Sequence, residues 1–197
     1  MGDLNVHKIS YGSLANGPGV RTVLHVQGCT LACRGCVNKS TWGMGQGSVM
    51  TEEEVVDLLL QEDADGITIS GGEPLEQWVA VRSVVGVVLE ARPSWTVVLF
   101  SGFTEKEILG QPATCQEYRN RWEELSAVVD TAILGRFEGT LLLPIGQRRN
   151  LISTSNQEIH HLSGRAKYMA DMPEAEIDIR TDGTAVFRGV AGHSILP

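Results

Sequence analysis

The chain has 197 residues, 42% of them apolar, enough for one domain with a core of its own. Asp and Glu number 24 against 16 Lys and Arg, and a net charge of −8 argues against a nucleic-acid backbone as partner. The opening MGDLNVHKIS lacks the basic start and apolar run of a signal peptide, and no stretch reaches the ~18 apolar residues of a membrane span, so the sequence reads as cytoplasmic with no membrane partner.

In chain order, Val20 to Gln27 alternates and is rich in β-branched residues, which predicts a first strand leading into a cysteine-bearing loop. Thr51, Glu52 to Glu54 and then VVDLLL predict an N-capped helix with an acidic first turn. A short buried strand follows at Gly66 to Ser70, stopping at Gly71-Gly72. The periodicity of Gln77 to Ala91 predicts a helix, and Trp95 to Phe100 a strand that ends at Ser101-Gly102. A further helix is expected over Cys115 to Leu125 and a strand over Ala127 to Leu134. Such strand-helix repeats require parallel strands with right-handed crossovers. A full barrel of this kind takes about 250 residues. The expected α/β fold is therefore a single domain forming a partial, open parallel β/α barrel of about five or six strands. Ile177 to Arg188 alternates on either side of Asp182-Gly183, predicting a C-terminal β-hairpin extension.

Of four cysteines, Cys29, Cys33 and Cys36 share one loop with the spacing C-x3-C-x2-C. Clustered thiols point to metal or redox chemistry rather than to a disulfide scaffold. Electron-transfer cubanes take four protein thiolates; this loop offers three, which would leave one iron open to an outside ligand. The competing reading is a zinc site completed by His25 or Cys115. His25 alternates with its strand neighbours and is expected to face the core or a helix, and Cys115 to be a plain thiol.

Three glycine-containing turns fall at strand ends, where α/β proteins bind ligands. Ser70-Gly71-Gly72-Glu73-Pro74 lets a ligand approach the backbone and supplies the Glu73 carboxylate. Asn16-Gly17-Pro18-Gly19 is a rigid turn that could bring backbone near the cysteines. Ser101-Gly102-Phe103 would line the same pocket. Asp130 is a candidate contact for a ligand or cation. His160-His161 reads as a surface pair and Arg148-Arg149 as a solvated loop.

The run NGPGVRTVLHVQGCTLACRGCVNKSTW, followed by SGGEPL, resembles the radical S-adenosylmethionine (SAM) activating enzymes, and within them the branch that activates anaerobic ribonucleotide reductase. Ser155-Asn156-Gln157 is similar to that branch as well. The resemblance spans about residues 6–165 and leaves about 166–197 as an extension. It implies a [4Fe-4S] cluster held by Cys29, Cys33 and Cys36, with SAM chelating the open iron. It implies Gly71, Gly72 and Glu73 at the SAM amine, and Gly35, Val37 and Asn38 beside the adenine. Ser70, Ser101 and Asp130 complete the expected cofactor-binding set. The implied chemistry is reduction of the cluster, cleavage of SAM to a 5'-deoxyadenosyl radical, and hydrogen abstraction. The implied substrate is a glycyl-radical enzyme; a small metabolite or a peptide of a biosynthetic pathway is the alternative. A one-electron donor such as flavodoxin or ferredoxin is expected. Val37 departs from the family's usual aromatic residue, and Leu134 stands where an Asp is usual, with Asp130 on the same strand to compensate.

Overall fold

A computed structural model describes residues 2–110, 116–144, 147, 151–165, 172–179, 181–182 and 184–189. In chain order it contains β1 (Asp3–Ser13), β2 (Arg21–Val26), β3 (Ser48–Thr51), α1 (Glu52–Leu59), β4 (Gly66–Gly71), α2 (Trp78–Ala91), β5 (Thr96–Ser101), α3 (Glu105–Leu109), α4 (Gln116–Val128), β6 (Thr131–Leu134), β7 (Glu158–His161), β8 (Ala175–Ile179) and β9 (Ala185–Gly189). Cys115, Arg148-Arg149 and Gly183 lie outside the described residues.

The first seven strands form one sheet in the order β3-β1-β2-β4-β5-β6-β7, and β8-β9 form a separate hairpin. Strands β2, β4, β5 and β6 run parallel; β1, β3 and β7 join antiparallel at the flanks. The expected α/β fold with an open, parallel centre is present, with antiparallel strands added at its flanks and no closure into a barrel. The reason lies in the flanking segments. Asp3–Ser13 buries only Leu4, Val6 and Ser13 fully, and Glu158–His161 is polar, so neither carries the continuous apolar run of a central parallel strand. The Val20–Gln27 strand is accordingly the second in the chain.

Side-chain alternation divides the core. Leu24, Val26, Ile67, Ile69, Val97, Leu99, Ala132 and Leu134 pack with residues of α1 and α2 in the main cluster. Val98 and Ile133, on the other face, pack with Leu151 in a smaller one. Helix α1 begins with the expected capping box, Thr51 and Glu54 bonding each other's backbone N–H. Helix α4 continues to Val128, which shortens the following strand to Thr131–Leu134.

The second face also carries Arg21, fully buried at the start of β2. It donates to Thr68 Oγ1 at 3.2 Å, Thr96 Oγ1 at 2.8 Å and Thr96 O at 2.7 Å, and also to the Ile67 carbonyl, stitching β2, β4 and β5 together. Burial lowers its pKa to about 10, so it stays charged at neutral pH. This cation plugs the end of the parallel strands opposite the cysteine loop. The C-terminal ends of β2, β4, β5 and β6 then deliver the cysteine loop, Gly71-Gly72, Ser101-Gly102 and Gly135 to one edge.

Candidate functional site

The loop after β2 is held in shape by its own backbone and by Gln27. Gly28 N–H donates to Thr41 O at 2.7 Å and Cys29 N–H to Trp42 O at 3.2 Å, closing the loop at its base. The Gln27 side chain, 1% exposed, donates to Ser40 O at 3.1 Å and Gly43 O at 2.9 Å. Its Oε1 meets His7 Nδ1 at 2.8 Å. Glu76 receives both the N–H and the hydroxyl of Thr30. Between the first two cysteines, Ala32 adopts a left-handed backbone with φ of 47°, a conformation that costs an L-residue on the order of 1 kcal/mol.

Cys29, Cys33 and Cys36 are each half-buried and line one cavity of about 120 Å³ with Gly71, Gly72, Glu73, Ser101 and Gly102. Burial pushes the thiols of Cys29 and Cys33 up from their ordinary value. Cys36 Sγ accepts the Asn38 N–H at 3.4 Å. A second cavity of about 250 Å³ shares Cys36, Ser70, Phe100, Phe137 and Gln157 with the first, and adds Val37 and Asn38. Gly35 packs toward the same place, its hydrogen facing Phe137.

The glycine pair has a different origin from the one expected. Gly71 has φ of 105°, and a Cβ there would sit 2.6 Å from the backbone N and O of Val26. A Cβ on Gly72 would run into the Gly28 carbonyl. Both are glycine because β2 and the cysteine loop press against them. The contact is bonded as well: Gly72 N–H donates to Val26 O and Glu73 N–H to Gly28 O, each at 2.8 Å.

Glu73 is 1% exposed. Its carboxylate accepts Leu75 N–H at 2.9 Å, Ser101 Oγ–H at 2.8 Å and Gly102 N–H at 2.8 Å, bracing the ends of β4 and β5. Burial pushes its pKa up to about 7 against the pull of those three donors. The carboxylate braces the cavity wall, which leaves the turn backbone as the surface this motif offers a ligand.

The structure does not bring Asp130 to the site. It precedes β6 at the opposite end of the sheet, where it accepts Val97 N–H at 2.8 Å and Arg165 Nε at 3.0 Å, with Ser163 as a further donor. Leu134 is buried in the main core and Asp130 does not replace it at the cavity. Gly17, Pro18 and Gly19 also lie away from the cysteines; Gly17 packs on Arg21, and Val20 N–H after the turn is held by Asp65 at 2.8 Å. Asn16 of that turn lines the 250 Å³ cavity. His25 faces the second cavity instead of the helices, because its place in β2 has the parity of Arg21 and Val23. His161 is exposed as expected, while His160 is half-buried edge-on to Trp122, ring centroids 5.7 Å apart.

Sequence reasoning missed Gln27, Glu76, Phe137 and the role of Gln157. Gln157 Oε1 accepts Ser153 and Thr154 N–H groups at 2.9 and 3.1 Å, and its Nε2 reaches Gly135 O at 3.3 Å, fixing the wall common to both cavities. Asn156 donates to Arg136 O at 2.8 Å beside it. The Ser155-Asn156-Gln157 resemblance was the one available signal.

Three soft sulfur donors on one cavity, which shares a wall with a second and larger cavity, fit a cubane cluster with an amino-acid nucleoside beside it. Among the described residues no three His, Cys, Asp or Glu side chains are grouped to hold one metal ion. No helix among the described residues is long and apolar enough to cross a membrane.

The chain matches the 4Fe-4S single cluster domain family over residues 15–160. It is 30% identical to the anaerobic ribonucleoside-triphosphate reductase-activating protein of Enterobacteria phage T4, over 70% of this chain and 84% of that protein. The protein of the same name from Escherichia coli (strain K12) is 28% identical, over 81% of this chain and 99% of its own length. The pyruvate formate-lyase-activating enzyme of Clostridium pasteurianum is 42% identical over a shorter stretch, 36% of this chain and 33% of that enzyme.

Proposed function

The chain belongs to the radical SAM activating enzymes of glycyl-radical systems, and from that premise we propose that it generates a glycyl radical on a partner enzyme of the anaerobic ribonucleotide reductase type. The observation that carries this reading is the shared cavity of Cys29, Cys33, Cys36 and the Gly71-Gly72 turn. When bound, a [4Fe-4S] cluster and SAM supply one-electron cleavage of SAM and a carbon radical that removes hydrogen from the substrate.

The chain's own residues hold and orient. Cys29, Cys33 and Cys36 would ligate three irons. The backbone of Gly71 and Gly72 would receive the SAM amine, kept in place by the Glu73 brace to Ser101 and Gly102. Gly35, Val37, Asn38 and Ser70 would border the adenosine, with Phe137 and Phe100 excluding water from the wall between the cavities. Val37, 52% exposed, offers the adenine no ring to stack on. A one-electron donor of the flavodoxin or ferredoxin type would reduce the cluster.

The test is electron paramagnetic resonance on the anaerobically reconstituted, reduced protein with SAM and an anaerobic ribonucleotide reductase. A glycyl radical doublet on the reductase is expected. Formation of 5'-deoxyadenosine with no protein radical would overturn the activase reading and favour a small-molecule or peptide substrate.

A further inference from the structure

From Leu4 to Thr51 the sequence holds no Asp or Glu, against Lys8, Arg21, Arg34 and Lys39, in a chain whose net charge is −8. Two of those cations belong to other parts of the molecule: Arg21 is buried at the far end of the parallel strands, and Lys8 lines the 250 Å³ cavity. The other two sit on the cysteine loop itself, Arg34 between Cys33 and Cys36, and Lys39 just beyond Cys36. Both are exposed, and neither lines either of the two cavities at the cysteines. Neither side chain is hydrogen-bonded or ion-paired among the described residues.

The carboxylates around the loop are engaged with other groups. Glu73 is buried in the cavity wall, Glu76 accepts the Thr30 N–H and hydroxyl, and Glu107 pairs with Arg136. Glu138 accepts the Thr140 hydroxyl at 3.1 Å. Backbone bonds fix the segment that carries Lys39: Thr41 N–H donates to Asn38 O at 2.9 Å and Trp42 N–H to Lys39 O at 3.2 Å. Between the ligating thiols, Ala32 and Gly35 are exposed and carry at most a methyl group. The outer face of the loop is therefore basic, held in shape and free of bulky side chains beside the sulfurs.

We propose that Arg34 and Lys39 form the docking surface for an acidic one-electron carrier protein, which seats on the outer face of the cysteine loop and passes its electron to the cluster there. This rests on the cluster being bound by the loop and not on which substrate loses hydrogen. The carrier is oxidised by one electron, the cluster is reduced by one, and no proton or group moves. A small charged surface suits a protein that must dock, deliver and leave. Electron-transfer complexes use small interfaces, and complementary charge raises their encounter rate more than their affinity. The enzyme that receives the radical has a different requirement, since its glycine must reach the cavities, which Arg34 and Lys39 do not line.

The cluster-loaded protein is titrated calorimetrically with an oxidised, acidic flavodoxin at low ionic strength. Cluster reduction by the reduced flavodoxin is followed by stopped-flow bleaching, with rates taken per loaded cluster. Arg34→Gln and Lys39→Gln are each expected to weaken binding and slow reduction about three-fold, and the double variant about ten-fold. Raising the ionic strength should slow the wild type by a similar factor and the double variant much less. Arg92→Gln, which removes one charge beyond the C-terminal end of α2, should change neither measurement. Arg34→Lys combined with Lys39→Arg should keep both at wild-type values. Photoreduced deazariboflavin, a small neutral reductant, should reduce every variant at one rate. A double variant that binds flavodoxin and is reduced by it like the wild type overturns the proposal, as does an equal loss in Arg92→Gln. So does a double variant that keeps its flavodoxin kinetics but forms less glycyl radical when deazariboflavin supplies the electrons, which would give this face to the reductase. Salt-sensitive reduction of the wild type with no glycyl radical on the reductase would sink the activase reading alone.

Discussion

The Glu73 carboxylate, at the end of β4, accepts the Gly102 N–H at the end of β5 across 2.8 Å, and this bond makes one rigid wall of two strand ends. With Leu75 N–H and Ser101 Oγ–H also donating to it, the carboxylate has three donors and needs both oxygens. An amide keeps one acceptor oxygen and turns an NH2 toward the remaining donors. Glu73→Gln is therefore expected to lower stability by about 1–3 kcal/mol, the cost of a buried donor left unmet. SAM affinity should fall with it, because Ser101 and Gly102 line the cavity. Urea midpoints and SAM titration measure the two effects; an unchanged midpoint would show that the brace contributes nothing.

Removing any one of the three loop thiols should empty the metal site. Cys29→Ser, Cys33→Ser and Cys36→Ser are each expected to lose most iron and acid-labile sulfide after anaerobic reconstitution, together with the broad visible absorption of the cluster. Cys115→Ser should keep the wild-type iron content. If Cys115→Ser lost iron as the other three do, the cluster would have four protein thiolates and no iron open to SAM.

Much of this site could be read before any coordinates, and the reason is locality. The cysteine spacing, the Ser70–Pro74 turn and the strands at Val20–Gln27, Gly66–Ser70 and Trp95–Phe100 are each written within a few consecutive residues, and the structure keeps them nearly to the residue. What stayed hidden depends on pairs far apart in the chain. Gln27 is one more strand residue until its side chain is seen reaching Ser40 and Gly43. Asp130 looked like a ligand contact because nothing in the sequence announces Arg165 as its partner. Strands β1 and β7 were missed because each gains its stability from a neighbour already in place. The positions of Gly71 and Gly72 were legible, but their cause, the backbone of Val26 and Gly28, was not.

That cause separates two glycine substitutions that look alike in sequence. Gly72→Ala drives a methyl into the Gly28 carbonyl, so the cysteine loop must shift; a loss of about 2 kcal/mol or more and incomplete iron loading are expected. Gly86→Ala, inside α2, places its methyl in open space and gains helix propensity. It should stabilise by about 0.5–1 kcal/mol and leave iron content unchanged. Thermal denaturation of the two variants, with iron analysis, checks the contrast; equal effects would mean that the Gly28 contact yields freely.

Arg136, just after β6, donates to Glu107 Oε2 at 2.7 Å and lies over the Phe103 ring, 5.8 Å from its centroid. The hydrogen bond from Arg136 pulls the Glu107 carboxyl down to about 2. A carboxyl whose folded pKa is depressed binds fewer protons folded than unfolded, so its stabilisation is complete above the ordinary value near 4.5 and fades as pH falls toward 2. Both side chains are 40% exposed, so solvent screening keeps the contribution to about 0.5–1 kcal/mol. Glu107→Gln isolates the charge, because Gln retains the acceptor that caps α3 through the Thr104 N–H. The variant should melt below the wild type at pH 6 and converge with it as pH drops from about 4.5 toward 2. The pH 6 difference should also shrink as salt is raised. A gap that is the same at pH 6 and pH 3 would assign it to the cap and not to the Arg136 pair.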